Sequence, residues 1–169
     1  MWDEKALSAV NANVSLEPIS DWEFIGNDVV PYIGGFPTAG IALTDTGASD
    51  FSTDYMRKLV VLPNAFTAGN VTLKVIGFTA ATGNVQMRVR WVCNSSGANF
   101  YSPTFSSIVD SNIVAGTATT TTSNVWTMTL DLSSGCAIGD YLHVEIARNN
   151  GVASNMANYM LALNARLYQ

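Results

Sequence analysis

Apolar and polar residues alternate with a period of two along most of the chain after residue 55. In Val85-Gln86-Met87-Arg88-Val89-Arg90-Trp91-Val92-Cys93 every odd position is apolar, and positions 86, 88 and 90 are polar. That spacing predicts a strand with one buried and one wet face. Trp126, Met128, Leu130 and Leu132 alternate with Thr127, Thr129 and Asp131, and Leu142, Val144 and Ile146 alternate with His143 and Glu145. Val71, Leu73 and Val75 enclose Thr72 and Lys74, while Tyr159, Leu161, Leu163, Ala165 and Leu167 form a last alternating run. Arg57-Lys58-Leu59-Val60-Val61-Leu62 is a short apolar run closed by Pro63. Turn signals separate these runs at Pro63-Asn64, Thr82-Gly83-Asn84, Ser95-Ser96-Gly97, Ser133-Ser134-Gly135 and Asn149-Asn150-Gly151. Thr82-Gly83-Asn84 reads as a hairpin turn between its flanking runs, which would bring Lys74 close to Arg88 and Arg90 as a basic stripe. The threonine-rich stretch 117–122 reads as a strand exposed on both faces, with a polar loop as the alternative. Seven or eight strands, with no convincing helix between them, predict an all-β fold of two packed sheets over residues 41–169.

The front of the chain lacks this rhythm. Asp3 to Val10 fits one or two helical turns with Asp3 as cap. After it Pro18, Pro31, Gly34-Gly35 and Pro37-Thr38 break any long element. Residues 1–40 therefore read as an extended, mostly irregular N-terminal arm. Yet the arm carries Trp2, Trp22, Phe24, Tyr32 and Phe36. Aromatic rings must be buried somewhere, here either on the chain's own sandwich or on a neighbouring subunit.

Composition sharpens the picture. The chain has 169 residues, the length of one domain, with 48% apolar and only 12% charged residues. Charge is about half its usual share of roughly 25%. A surface so poor in charge implies that part of it is covered by a partner. The net charge of −5 is unevenly spread: residues 1–54 hold nine acidic groups against Lys5, a net −8, and residues 55–169 hold a net +3. Such a split favours head-to-tail contact between copies, or docking of the front section on a basic surface. An acidic chain does not favour nucleic acid, and no 18-residue apolar stretch suggests a membrane span. The opening MWDEKALSAV lacks the basic and apolar regions of a secretory signal.

Candidate chemistry is sparse. His143 is the one histidine, placed by the pattern on a wet strand face, and any Ser-His-Asp or Cys-His arrangement would need it. Cys93, Cys136 and His143 are too few for a zinc site. Cys93 reads as a small buried apolar thiol, with a Cys93–Cys136 bridge as the alternative. Asp45-Thr46-Gly47 after an apolar run resembles the active-site loop of retropepsin-type aspartic proteases, which need two such aspartates sharing a proton. The Gly-rich flap expected downstream is missing. Asp110, Asp131, Asp140 and Glu145 show no pairing of the glycosidase kind. Neither a calcium loop nor a phosphate loop is present. The reading is non-enzymatic and without a cofactor.

Two stretches carry a resemblance. Leu59-Val-Val-Leu-Pro63 leads into Asn70-Val-Thr-Leu-Lys-Val-Ile-Gly-Phe-Thr-Ala-Ala-Thr-Gly-Asn-Val-Gln-Met-Arg-Val-Arg-Trp91. Later comes Ala137-Ile-Gly-Asp-Tyr-Leu-His-Val-Glu-Ile-Ala-Arg-Asn-Asn-Gly151, with Asn164-Ala-Arg-Leu-Tyr168 in the last run. Over roughly residues 40–169 the pattern resembles the small jelly-roll virion proteins of tailed bacteriophages: capsid cement or decoration proteins, and related fibre-tip domains. The resemblance implies a jelly-roll-like β-sandwich and a homotrimeric structural virion protein. It would be made in the host cytoplasm and mounted on the capsid exterior, stabilising the head shell by binding the major capsid protein. Partner-binding candidates are Trp2, Trp22, Phe24, Tyr32, Phe36, Lys74, Arg88 and Arg90. The alternative is a receptor- or carbohydrate-binding fibre tip gripping a surface glycan, with Asn99-Phe100-Tyr101 and Asn158-Tyr159 as candidate sugar contacts.

Overall fold

The computed structural model describes residues 14–16, 23–25, 29–32, 40–43, 51, 55–62, 64, 66–95, 97, 103–117, 123–157 and 160–168. Those residues contain strands β1 (Val14–Leu16), β2 (Glu23–Ile25), β3 (Val29–Tyr32), β4 (Gly40–Leu43), β5 (Tyr55–Val61), β6 (Asn70–Thr79) and β7 (Thr82–Val85). Then follow β8 (Met87–Asn94), β9 (Val109–Asp110), β10 (Val114–Thr117), β11 (Asn124–Asp131), β12 (Tyr141–Arg148) and β13 (Met160–Tyr168). The larger sheet has the order β11-β6-β13-β4-β3, with β1 sharing the far edge of β13 beside β4. The smaller sheet runs β2-β5-β12-β8-β9, and β10 pairs with β7 in a separate ribbon. The fold is an all-β sandwich of antiparallel sheets.

The period of two explains the packing. Val71, Leu73 and Val75 of β6 and Trp126, Met128 and Leu130 of β11 line the inner face of the larger sheet. They meet Met56 and Val60 of β5, Met87, Val89 and Trp91 of β8, and Leu142, Val144 and Ile146 of β12. Each large apolar side chain fully buried this way contributes about 1.5–3 kcal/mol. Trp126 is fully buried, and its indole N–H donates to the Val85 carbonyl at 3.0 Å, so the polar end of the ring costs nothing.

The turn at Thr82-Gly83-Asn84 is not a hairpin between β6 and β8. Those strands lie in different sheets, and the chain crosses from one to the other between them. Within the crossing, β7 pairs with β10 on one side. On its other side Asn84 N–H donates to the Ser154 carbonyl at 2.8 Å, and Met156 N–H donates to the Asn84 carbonyl at 2.9 Å. Gly83, with φ +125°, allows this approach: a Cβ there would sit 2.7 Å from the Met156 Cα. The basic stripe expected of Lys74, Arg88 and Arg90 therefore does not form. Lys74 lies on the larger sheet, and both arginines lie on the smaller one.

The arm is also more regular than expected. Where it is described, it supplies short strands to both sheets: β1 and β3 to the larger and β2 to the smaller. Pro31 is tolerated because β3 is an edge strand. Of the threonine-rich stretch, Thr117 ends β10, and residues 118–122 lie outside the described residues. The expected helix from Asp3 to Val10 lies outside them too.

Residues 106–112 close one side of the sandwich. Ser106 and Ser111 pair with the edge of β8, their N–H groups donating to the Trp91 and Met87 carbonyls at 2.8 Å. Their hydroxyls accept from the Trp91 and Met87 N–H groups at 3.0 and 2.9 Å. Asn112 then crosses to β11, where its amide accepts from Thr127 N–H at 2.7 Å and donates to the Val125 carbonyl at 3.2 Å. One segment thus caps edge groups of both sheets, a device against edge-to-edge aggregation.

Cys93 is not a free thiol. It forms a disulfide with Cys136 that ties β8 to the loop between β11 and β12, across 43 residues of sequence. In the chain-entropy account, closing such a loop stabilises the fold by about 4 kcal/mol. Replacing both cysteines by serine should lower unfolding stability by about 2–4 kcal/mol in chemical denaturation.

Candidate functional site

Strand β12 is buried on both faces. Leu142, Val144 and Ile146 point into the core, but His143, Glu145 and Ala147, on the outer face of the smaller sheet, are buried as well. His143 is 7% exposed, so the wet face expected for it is corrected. Its cover includes Phe105, which meets the imidazole edge-on with ring centroids 5.1 Å apart.

Arg90 lies directly opposite Glu145 across β8 and β12. Its Nε donates to Glu145 Oε2 at 2.6 Å, and its Nη2 donates to the Phe51 carbonyl at 3.2 Å. The guanidinium sits between two rings, 4.5 Å from the centroid of Phe51 and 4.3 Å from that of Phe105, with Tyr55 at 5.8 Å. A planar delocalised cation suits this stacking; an ammonium would not. Glu145 is 2% exposed, and a carboxylate so deeply desolvated requires such a partner. His143 Nε2 lies 3.3 Å from Glu145 Oε1 but off the line of a hydrogen bond.

The charges continue across the sheet. Register aligns Glu23, Arg57, Glu145 and Arg90 in one row over β2, β5, β12 and β8, alternating in sign. Arg57 grips Glu23 through two bonds of 2.6 and 2.7 Å, which hold the Glu23 carboxyl below its ordinary pKa. At the next outward position of β8, Arg88 meets Asp110 at 3.2 Å. Each arginine on this face is matched by a carboxylate.

Beyond the charged row the face turns apolar and open. Leu59 and Val61 point outward from β5 at 53% and 56% exposure, and Tyr141 is 39% exposed at the start of β12. Tyr141 stands opposite Val61 on one side and Asn94 on the other. The Asn94 side chain is buried beside it, and its Nδ2 has no hydrogen-bond partner, a cost of about 1–3 kcal/mol. The loop leading into Tyr141 is held at three points. The disulfide anchors Cys136, Ala137 N–H donates to Asp140 Oδ2 at 2.9 Å, and Leu62 N–H donates to the Asp140 carbonyl at 2.9 Å. Tyr141 is therefore presented by rigid backbone.

Among the described residues His143 Nε2 has no hydrogen-bond partner, and no group of three His, Cys, Asp or Glu side chains could hold a metal ion. Asp110 and Glu145 are each paired with an arginine. Asp131 Oδ1 accepts from Ser133 N–H, and Asp140 is engaged in the loop. The exposed ring, the two aliphatic side chains and the fixed charged groups form a surface suited to recognition: one face of a ligand can lie flat on the apolar strip while its edge meets polar atoms.

Of the residues expected from sequence, Arg90 is central here and Arg88 lies at the margin. Lys74 is on the opposite face of the sandwich. Phe24 and Tyr32 stand in β2 and β3, while Trp2, Trp22 and Phe36 lie outside the described residues. So do Asp45-Thr46-Gly47, Asn99-Phe100-Tyr101 and Asn158-Tyr159. Arg148, at the end of β12, is buried and donates to the Asn155 side chain at 2.8 Å and to the Met156 carbonyl. Sequence reasoning passed over Phe51, Tyr55, Leu59, Val61, Phe105 and Tyr141. One signal was present: positions 59 to 62 are apolar without alternation, so one pair must face outward.

No protein-family profile matches the chain, and no curated protein sequence does. Solved structures do. The CBM22-1 and GH10 modules of Clostridium thermocellum endo-1,4-beta-D-xylanase 10B, complexed with xylohexaose, match 88% of the chain at 10% identity with a TM-score of 0.55. The match spans only 26% of that longer protein. A family 35 carbohydrate binding module from Clostridium thermocellum matches 93% of the chain and 98% of its own length, at 15% identity and a TM-score of 0.51. The likeness is one of fold. A tailspike protein domain of bacteriophage CBA120 gives 0.48 at 10% identity.

The Arg90–Glu145 pair offers a direct test of the site's construction. Glu145→Gln strands a stacked, largely desolvated guanidinium and should cost about 3 kcal/mol in urea unfolding. Arg90→Met combined with Glu145→Leu should regain most of that loss, because removing both charges leaves none unpaired.

Proposed function

We propose that this chain is a non-enzymatic glycan-binding module that holds a neutral saccharide on the outer face of its smaller sheet. The observation that carries this reading is Tyr141, exposed on a disulfide-anchored frame between Val61 and Asn94, with Leu59 and the charge-matched Arg90–Glu145 row alongside. Sugar rings have an apolar face and a hydroxylated edge. An exposed aromatic with adjoining aliphatics accepts the first, and polar side chains accept the second. The matched charges favour a neutral ligand, since no arginine on the face is left to attract an anion. The fold shared with carbohydrate-binding modules supports the reading, and so does the disulfide, which persists in the oxidising surroundings where surface glycans are met.

The test is affinity electrophoresis and calorimetry with neutral hexasaccharides, xylohexaose among them. Binding to at least one is expected, with Tyr141→Ala weakening it roughly tenfold while the far-ultraviolet circular dichroism stays that of the folded chain. Absence of binding across the panel, or an unaffected Tyr141→Ala variant, would overturn the assignment.

The uneven charge of the chain favours a second reading: a homotrimeric capsid decoration protein that docks through its acidic, aromatic-rich front section. Under that reading the full chain decorates purified undecorated phage capsids in electron micrographs, and a chain lacking residues 1–40 does not. Capsids left bare by the full chain would exclude it.

A further inference from the structure

The two outer faces of the sandwich handle positive charge in opposite ways. On the smaller sheet Arg57, Arg88 and Arg90 each have a carboxylate at 2.6 to 3.2 Å. On the larger sheet Lys74 of β6 and Arg166 of β13 lie directly opposite each other in register. Both point outward, because their neighbours Leu73, Val75, Ala165 and Leu167 are buried. Neither has a carboxylate partner among the described residues. Like charges set side by side across a strand pair repel, and in a chain of net charge −5 acidic residues were available to separate them. Among the described residues a carboxylate of this face, Asp131, stands four positions along β11 from Thr127, the residue opposite Lys74, and its Oδ1 accepts from Ser133 N–H.

The surroundings of the two cations are ordered and polar. The Lys74 ammonium sits over the Tyr168 ring, 5.1 Å from its centroid, toward the row that adjoins its own. Register places Thr127 next to Lys74, and Thr129, Thr72 and Tyr168 in the adjoining row. Arg166, Thr127 and Thr129 are exposed, so the guanidinium and two hydroxyls are open to a ligand. A guanidinium, a neighbouring ammonium and hydroxyl donors on one flat surface are the chemistry that recognises a planar or tetrahedral anion on a polyol.

We propose that the outer face of the larger sheet is a second binding site, which takes an anionic group, a carboxylate or a sulfate, carried by a saccharide. The site deepens the glycan-binding reading but shares no residue with the face around Tyr141. The two faces are on opposite sides of one rigid sandwich, so one molecule would bridge a neutral stretch of a polysaccharide and an acidic one. The overall negative charge of the chain repels long polyanions, so recognition rests on the local pair rather than on long-range attraction.

The experiment uses the full chain in calorimetry with three probes of equal length: a galacturonic acid hexasaccharide, a sulfated hexasaccharide and xylohexaose. Binding of at least one acidic probe is expected, weakening as salt rises, and the preferred probe identifies the anionic group. Lys74→Ala with Arg166→Ala should reduce acidic binding about tenfold or more and leave xylohexaose binding unchanged. Arg166→Gln, confined to an exposed side chain, should reproduce part of the loss if the double variant folds poorly. Tyr141→Ala separates the two readings, because it should lower neutral binding and spare acidic binding. The proposal is overturned if neither acidic probe binds, or if the cation variants bind the acidic probes like the parent chain. It is also overturned if those variants change only the oligomeric state in sedimentation, which would make the face a contact between copies.

Discussion

Strand β12 governs how the smaller sheet is built, because from Leu142 to Arg148 it is buried on both sides. Its inner residues complete the core with Trp126 and Met128 across the sandwich, as any central strand would. Its outer residues impose the harder condition. Glu145 is shut away from water, and a carboxylate there is tolerable only with a cation of fixed geometry. Arg90 supplies it from the neighbouring strand, and Phe51 and Phe105 clamp its guanidinium from loops far apart in sequence. A local need for charge matching thereby fixes two loops over one half of the face. The other half remains open around Tyr141.

A chain with so little charge must also control its edges. The serines at 106 and 111 and the amide of Asn112 mimic strand pairing with side chains, occupying hydrogen-bond groups of β8 and β11 without adding a full strand. Elsewhere the short strands extend the sheets past their long members: β4 and β3 beyond β13, and β2 beyond β5. Apolar side chains left exposed at Leu59 and Val61 point outward from the face of the smaller sheet.

The long strands were legible because strict alternation sustained over about eight residues fits a half-buried strand and no helix. The wrong pairing of β6 with β8 came from the same signal. A Gly-containing turn between two alternating runs looks alike whether the chain folds back in one sheet or crosses to the other. What decides is the close seat of Met156 against Gly83, a contact about seventy residues away in sequence. His143 and Glu145 looked wet because their cover, Phe51 and Phe105, sits in segments without periodicity. The three- and four-residue strands of the arm are too short to show a period at all. Arg90 and Lys74 could be singled out as charged residues on strands, but only the sheet assignment shows that Arg90 meets a carboxylate and that Lys74 meets none among the described residues.

That last distinction carries a consequence for how the surface is divided. Both faces draw on the same few cations, and the chain has acids to spare, so pairing was available everywhere. Among the described residues it is met at Arg90, beside the rings of Phe51 and Phe105, and unmet at Lys74 and Arg166 on the larger sheet. Burial explains the first: an unpaired cation under two rings would cost several kcal/mol. It does not explain the second, because in water an unpaired cation costs little and a surface ion pair is worth less than about 1 kcal/mol. Leaving Lys74 and Arg166 side by side is thus cheap for folding but still mildly unfavourable, and an anion shared between them removes the repulsion at the moment it binds.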